Sequence, residues 1–289
     1  MNRALLAAMA ALCLPSCTTE ATVEIGTPVL TDKFEQAARD YDVPVDLLKA
    51  VAYVETRWNH VAGEDDELGR AAGAGVFGLW GDNLERGAAA AQLDVDDVRT
   101  DRTANIMAAA ARLSELAVAR GSSGGDLMAW MPVVDDFAQN PDDEARKAFL
   151  ADVQTVLATG ATSVAEDGSV IAEITPHTEI GMPEVTTIAA GGDFAEAIWR
   201  ASPNFNSRNG TAVSLVVIHS CEGGYSGCWG WLRNSSAGAS AHYVVNESGS
   251  EVTQLVREAN RAWHVAAAYQ CANAGNTQCN KNGVSTNNF

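Results

Sequence analysis

From Thr159 to Gly192 the chain carries five acidic residues and not one Lys or Arg, set among Thr, Ser, Gly and Pro. A stretch so composed buries too little apolar surface to offset its ordering entropy, and it reads as a solvated linker. It divides the chain into parts that have to fold separately. Ahead of it, Thr31 to about Ala158 is rich in Ala and Leu, punctuated by Gly and Pro, and free of the alternation that marks a strand. Behind it, Asp193 to Phe289 shows short β-type runs bounded by turn residues. The expectation is a multidomain chain: an all-α unit over 31–158, a linker over 159–192, and an α/β unit with a mixed sheet over 193–289. With 289 residues in all, each unit is long enough to bury a core.

The residues before 31 have a different logic. Met1-Asn2-Arg3 makes a short positive start, and Ala4 to Leu14 is an apolar run too short to span a bilayer. That is the layout of a secretory signal. The run ends in Leu14-Pro15-Ser16-Cys17, which resembles a bacterial lipobox. The resemblance implies a signal over 1–17, a lipid on Cys17, and an exported protein held at a membrane. A plainly secreted protein is the alternative. Export also changes how the other cysteines read: Cys221, Cys228, Cys271 and Cys279 favour two disulfides over free thiols. Three pairings are possible, and Cys221–Cys228 with Cys271–Cys279 is preferred because each closes a short loop rich in Gly or Asn. No Cys-x-x-Cys spacing supports a cysteine zinc site. The formal charge of -18 argues against nucleic acid as a partner, since such a chain repels phosphates. From Asp193 onward there are six acidic and six basic residues, so the excess lies upstream.

In the helical zone, Asp42-Val43-Pro44 predicts a helix start. Leu48, Val51, Glu55 and Trp58 then recur at spacings of three, four and three, which puts Glu55 on an apolar stripe. Desolvation there would raise its pKa, as a general acid requires. The bland reading is a helix-end Glu that turns to water or pairs with Arg57. The segment Leu47 to Asn59 resembles the catalytic helix of lytic transglycosylases of the goose-lysozyme-like fold, in which the Glu at this position cleaves the glycan. Ala104-Asn105-Ile106 to Leu116 resembles a second helix of that family. Its other segments are only loosely echoed by Gly75 to Trp80 and by Phe137 to Asn140. A docking role on the glycan is therefore expected at least as much as cleavage through Glu55.

In the last zone, Ser214-Leu215-Val216-Val217-Ile218 predicts a buried strand with His219 at its C-terminal end, where α/β folds place ligands. Ala241 to Val245 predicts a second strand, Asn246-Glu247-Ser248-Gly249 a turn, and Glu251 to Val256 the returning hairpin partner. Trp263-His264 follows. Spacing alone allows His219, His242 and His264 to hold zinc together. Trp229 and Trp231 lie in a loop and suit either a core or a sugar platform.

Val217-Ile218-His219-Ser220, Ser240-Ala241-His242-Tyr243 and Arg261-Ala262-Trp263-His264 occur in an order that resembles the zinc-dependent N-acetylmuramoyl-L-alanine amidases. That family also includes phage lysozymes and peptidoglycan recognition proteins. The resemblance runs from about Trp199 to the last residue. It implies Zn2+ as cofactor, peptidoglycan as partner, and hydrolysis of the amide between N-acetylmuramic acid and L-alanine. His219 is implied as the first zinc ligand, while His242, Trp263 and His264 are implied as substrate-side residues. The family's remaining ligands and its catalytic Glu lie downstream of the segment that Asn287-Asn288-Phe289 resembles. An incomplete amidase unit, inactive as it stands, is therefore expected, in a monomer. The rival readings are a peptidoglycan-binding lipoprotein without catalysis, and a glycan-cleaving enzyme working through Glu55.

Overall fold

The computed structural model describes residues 30–63, 72–183 and 191–264 apart from 211, 214, 215 and 222, together with the backbone of 269–270 and 284–285. The first part is helical: α1 (Thr31–Tyr41), α2 (Val45–Thr56), α3 (Gly81–Ala91), α4 (Val95–Thr100), α5 (Arg102–Arg120), α6 (Met131–Phe137) and α7 (Asp143–Thr159). Local chemistry sets these ends. Asp94, Asp101 and Asp142 cap α4, α5 and α7 by accepting the backbone N–H of Asp96, Ala104 and Ala145. Gly121, left-handed at φ 68°, stops α5. The buried face of α5 is nearly all Ala, with Ile106 and Leu113, so its neighbours come in closely. A Cβ on Gly87 of α3 would lie 2.7 Å from the Ala108 carbonyl oxygen.

Asn105, fully buried on α5, binds the loop that precedes α3. Its side chain accepts the Phe77 N–H at 2.9 Å and donates to the carbonyls of Ala74 and Val98 at 3.0 Å each. That loop in turn meets the end of α2, where the Thr56 hydroxyl donates to the Val76 carbonyl at 2.5 Å. The stripe read from the sequence is there: Leu48, Val51 and Trp58 are buried, and Glu55 is partly so.

The stretch expected to be a solvated linker contains a hairpin instead. Strand β1 (Ala161–Val164) pairs antiparallel with β2 (Val170–Ile174), Ala161 opposite Ile174. Ala172 and Ile174 enter the helical core, and the Leu30 N–H donates to the Ile171 carbonyl at 2.9 Å. Composition averaged over the whole stretch hid this five-residue run, whose alternation buries two side chains.

The remaining described elements are β3 (Ile198–Trp199), β4 (Phe205–Ser207), α8 (Tyr225–Arg233), β5 (Tyr243–Val245), β6 (Val252–Gln254), β7 (Asn260–Ala262), β8 (Tyr269–Gln270) and β9 (Val284–Ser285). β5 and β6 form the expected hairpin, Val244 opposite Thr253, and β3 joins β6 in parallel to give the order β3-β6-β5. β4 pairs antiparallel with β7, Phe205 opposite Ala262. Helices with small mixed sheets are the result. Trp229 and Trp231, expected in a loop, lie on α8, and Trp229 is fully buried.

The two parts are packed on one another. Ala145 of α7 shares a hydrophobic cluster with Trp229, Val244, Leu255, Val256 and Ala262. The Arg200 guanidinium lies 4.2 Å above the Trp229 ring and donates to Glu144 at 2.7 Å. Arg233 donates to the other Glu144 oxygen at 2.8 Å. Burial works upward on the Glu144 pKa, but the bonds from Arg200 and Arg233 outweigh it and hold the carboxyl below its ordinary value.

Candidate active site

The expected strand at 214–218 is where the structure departs most from the sequence reading. Val216, Val217 and Ile218 lie outside every strand, and Val216 and Ile218 are 86% and 89% exposed. Their β-branched composition is a propensity only. It becomes a strand where a neighbouring edge accepts the ladder, and here the described sheet ends at β5 without them. They form one wall of an open cavity of about 860 Å³ instead, facing Leu232 of α8 and the segment Ala239 to Val245.

The three histidines all line this cavity. His219 follows the exposed run, His242 precedes β5, and His264 follows β7 by two residues. Nε2 of His219 lies 3.3 Å from Nδ1 of His264, and the two rings meet edge to face with centroids 5.6 Å apart. The His242 ring is 6.1 Å from that of His264. Its Nε2 faces the Asn260 carbonyl at 3.0 Å and Arg208 Nη2 at 3.1 Å. Burial lowers the His242 pKa; the Asn260 carbonyl works upward and the Arg208 charge downward, so the ring is neutral at neutral pH. Trp263 is anchored through its backbone, which exchanges bonds with Ser240: N–H to Oγ at 2.9 Å, and carbonyl to N–H at 2.8 Å.

Two imidazole nitrogens bound tetrahedrally to one zinc at about 2.0–2.1 Å would stand roughly 3.3–3.4 Å apart. The 3.3 Å between His219 and His264 matches that separation. His242 does not complete a triad, because its Nε2 is already engaged. No group of three or more His, Cys, Asp or Glu side chains able to hold a metal occurs among the described residues. The pair thus has the spacing of two zinc-bound imidazoles, with no third ligand beside it among the described residues.

Cys221 and Cys228 form a disulfide that ties the cavity wall to α8, as expected from their spacing. Cys271 and Cys279, expected to pair, lie outside the described residues, as does Cys17. Between Cys221 and Cys228 the chain bends through Gly223, at φ 123°, and Gly224. Gly223 holds a φ that side-chain-bearing residues rarely adopt, and a Cβ on Gly224 would lie 2.7 Å from the Val54 carbonyl oxygen.

This bend meets Glu55. The carboxylate accepts the Gly224 N–H, and burial raises its pKa to about 7. Arg57, the partner expected for Glu55, goes elsewhere: its Nη2 pairs with Glu247 at 3.0 Å and its Nη1 donates to the Tyr53 carbonyl. Glu55 therefore faces the C-terminal part rather than an open groove. Beside it a second cavity, of about 170 Å³, is lined by Val54, Arg57, Asp152, Tyr225 and Glu247 among others. Asp152 is raised to about 6, by burial first, with the Ser226 hydroxyl at 3.3 Å opposing. Sequence reasoning overlooked Asp152 and Arg208. Asp152 sits on a helical face that only the docking of α8 makes interior.

Residues 209–287 match the model of a family described as N-acetylmuramoyl-L-alanine amidase. The chain is 44% identical over 73 residues to N-acetylmuramoyl-L-alanine amidase A of Achromobacter lyticus, which is 25% of this chain and 41% of that protein. The chain thus spans about two fifths of the length of that curated relative. No solved structure matches it.

Proposed function

We propose that the C-terminal part of the chain is a peptidoglycan amidase that hydrolyses the bond between N-acetylmuramic acid and L-alanine, with zinc as its cofactor. The observation that carries this is a coincidence of place. The family match spans His219, His242 and His264, and the cavity these residues line holds two imidazole nitrogens 3.3 Å apart. His219 is the residue that would hold the ion first, and His264, which the resemblance puts on the substrate side, stands 3.3 Å from it. Zinc bound there supplies a Lewis acid for the carbonyl and a water whose pKa is lowered to roughly 7.

The chain's own residues do the rest. His242, neutral and donating its Nε2–H to the Asn260 carbonyl, stands beside the pair as an orienting group for substrate. Tyr243 is raised above its ordinary pKa by burial, then by its bond to Glu258 and the Glu258 charge, so it keeps its proton. Its hydroxyl donates to Glu258 at 2.7 Å. Val216, Val217 and, across the cavity, Leu232 offer apolar contacts to the methyl groups of a lactyl-alanine unit.

His219→Ala is expected to abolish release of peptides from purified peptidoglycan, and to lower bound zinc measured by mass spectrometry in the same sample. Cleavage that survives His219→Ala with zinc content unchanged would remove this reading. The same site favours amide cleavage over glycan cleavage through Glu55, whose carboxylate is turned onto Gly224.

We also propose, from Leu14-Pro15-Ser16-Cys17, that the protein is exported and lipid-anchored at Cys17. Cys17→Ala should move it from the membrane to the soluble fraction and end its labelling by a fatty-acid probe. Unchanged fractionation and labelling would refute the anchor.

A further inference from the structure

Arg208 sits just past β4 and is only 6% exposed, although an arginine is costly to bury without a counter-charge. Its Nε donates to the Glu258 carbonyl at 2.8 Å, and its Nη2 faces His242 Nε2 at 3.1 Å. Nη1 is buried and has no partner among the described residues. The carboxylate of Glu258 is the nearby acid, yet it accepts the Tyr243 hydroxyl at 2.7 Å. Burial lowers the Arg208 pKa, the Glu258 charge opposes this, and the Arg261 charge adds to it.

Arg208 lines the same cavity as His219, His242 and His264. A chain with a formal charge of -18 thus gathers a guanidinium and three imidazoles on one cavity, against Glu247 and Glu258. A buried guanidinium with a free donor is matched by a planar anion. The two glutamates disfavour a doubly charged group, while a single carboxylate balances one guanidinium. The apolar remainder of the lining suits a peptide more than a bare ion.

We propose that Arg208 is the carboxylate anchor of this cavity, binding through Nη1 a free carboxylate of the peptide carried by a muramoyl-peptide ligand. The proposal rests on the amidase reading for the identity of that ligand, but it concerns binding and needs no turnover.

The test titrates the full chain, by calorimetry, with N-acetylmuramoyl-L-alanyl-D-isoglutamine, which has one free carboxylate, and with its diamide, in which that carboxyl is also a carboxamide. The acid should bind roughly 10- to 100-fold more tightly than the diamide, the range of a charge-assisted hydrogen bond. Arg208→Gln should abolish the difference in affinity between the acid and the diamide. Arg208→Lys, which keeps the charge but not the fork, should fall between. Should Arg208→Gln fail to fold by its melting curve, the native chain and Arg208→Lys decide the matter. Equal binding of acid and diamide by the native chain overturns the proposal, and so does an equal loss for both probes in a folded variant. Carboxylate-selective, Arg208-dependent binding by a chain that never cleaves peptidoglycan would uphold the anchor and sink the amidase reading. Cleavage indifferent to Arg208 would do the reverse.

Discussion

Trp229→Ala is expected to destabilise the C-terminal part by about 3–5 kcal/mol, the range for removing a fully buried large aromatic. Three layers meet at this ring. The guanidiniums of Arg200, at 4.2 Å, and Arg233, at 5.7 Å, lie over it, and it shares a cluster with residues of α7, β5 and β7 and with Leu255 and Val256 just after β6. Both arginines pair with Glu144 on α7, so losing the ring also loosens the ion pairs that hold the two parts together. Urea unfolding should show a lower midpoint, and limited proteolysis should cut within 191–264 before the helical part. Trp231→Ala is the control. Trp231 is half-buried and tilts against Trp80 at 6.4 Å, so it should cost less than Trp229, under about 1.5 kcal/mol. Equal losses for both tryptophans would show that Trp229 is not the centre of the junction.

The second large effect is on pH. Glu55 is raised from 4.5 to about 7 and Asp152 from 3.8 to about 6, both chiefly by burial at the junction. The folded chain therefore binds more protons than the unfolded chain across the interval from about pH 4 to 7. The contribution of these two carboxyls is at its fullest below that interval and is lost as pH rises through it. Glu55 alone contributes a fall of about 3 kcal/mol, from the linkage of 1.36 kcal/mol per pKa unit. The groups facing these two carboxyls set the balance. Glu55 meets the Gly224 N–H, while Asp152 meets the Ser226 hydroxyl and feels Glu251 and Glu247 upward and Arg57 downward. Glu144, Asp136 and Asp193 are lowered, so their contributions change only on the acid side of pH 4.5. His177, raised by Asp46 and Glu179 against burial, adds a loss of the same sign at higher pH. Glu55→Gln separates the two, because it removes only the carboxyl. Melting followed from pH 4 to 8 should fall steeply for the native chain and much less for Glu55→Gln. Parallel curves for the two proteins would show that the Glu55 carboxyl is not desolvated.

The start of α2 at Pro44 was legible because it depends on residues close in sequence; the aspartate caps of α4, α5 and α7, found only in the structure, are local in the same way and act over two or three positions. The β5–β6 hairpin was legible for the same reason, its turn lying between two short runs. The Cys221–Cys228 pairing followed from a separation of seven residues. The order of the His219, His242 and His264 motifs could likewise be read directly, and all three line one cavity.

The tertiary structure decided what those residues face. An aliphatic run such as 214–218 carries the composition of a buried strand, but burial is a property of its neighbours, and Val216 and Ile218 are exposed. Glu55 could be placed on an apolar stripe from its spacing; that the stripe is covered by Gly223 and Gly224 depends on a contact more than 160 residues away in sequence. Arg208 gave no signal at all, since one arginine in a loop is ordinary until the fold closes over it. Sequence fixes local backbone preference and the order of chemical groups. Which of those groups lose their water is determined only when distant surfaces meet, and desolvation is what gives Glu55, Asp152 and Arg208 their chemistry.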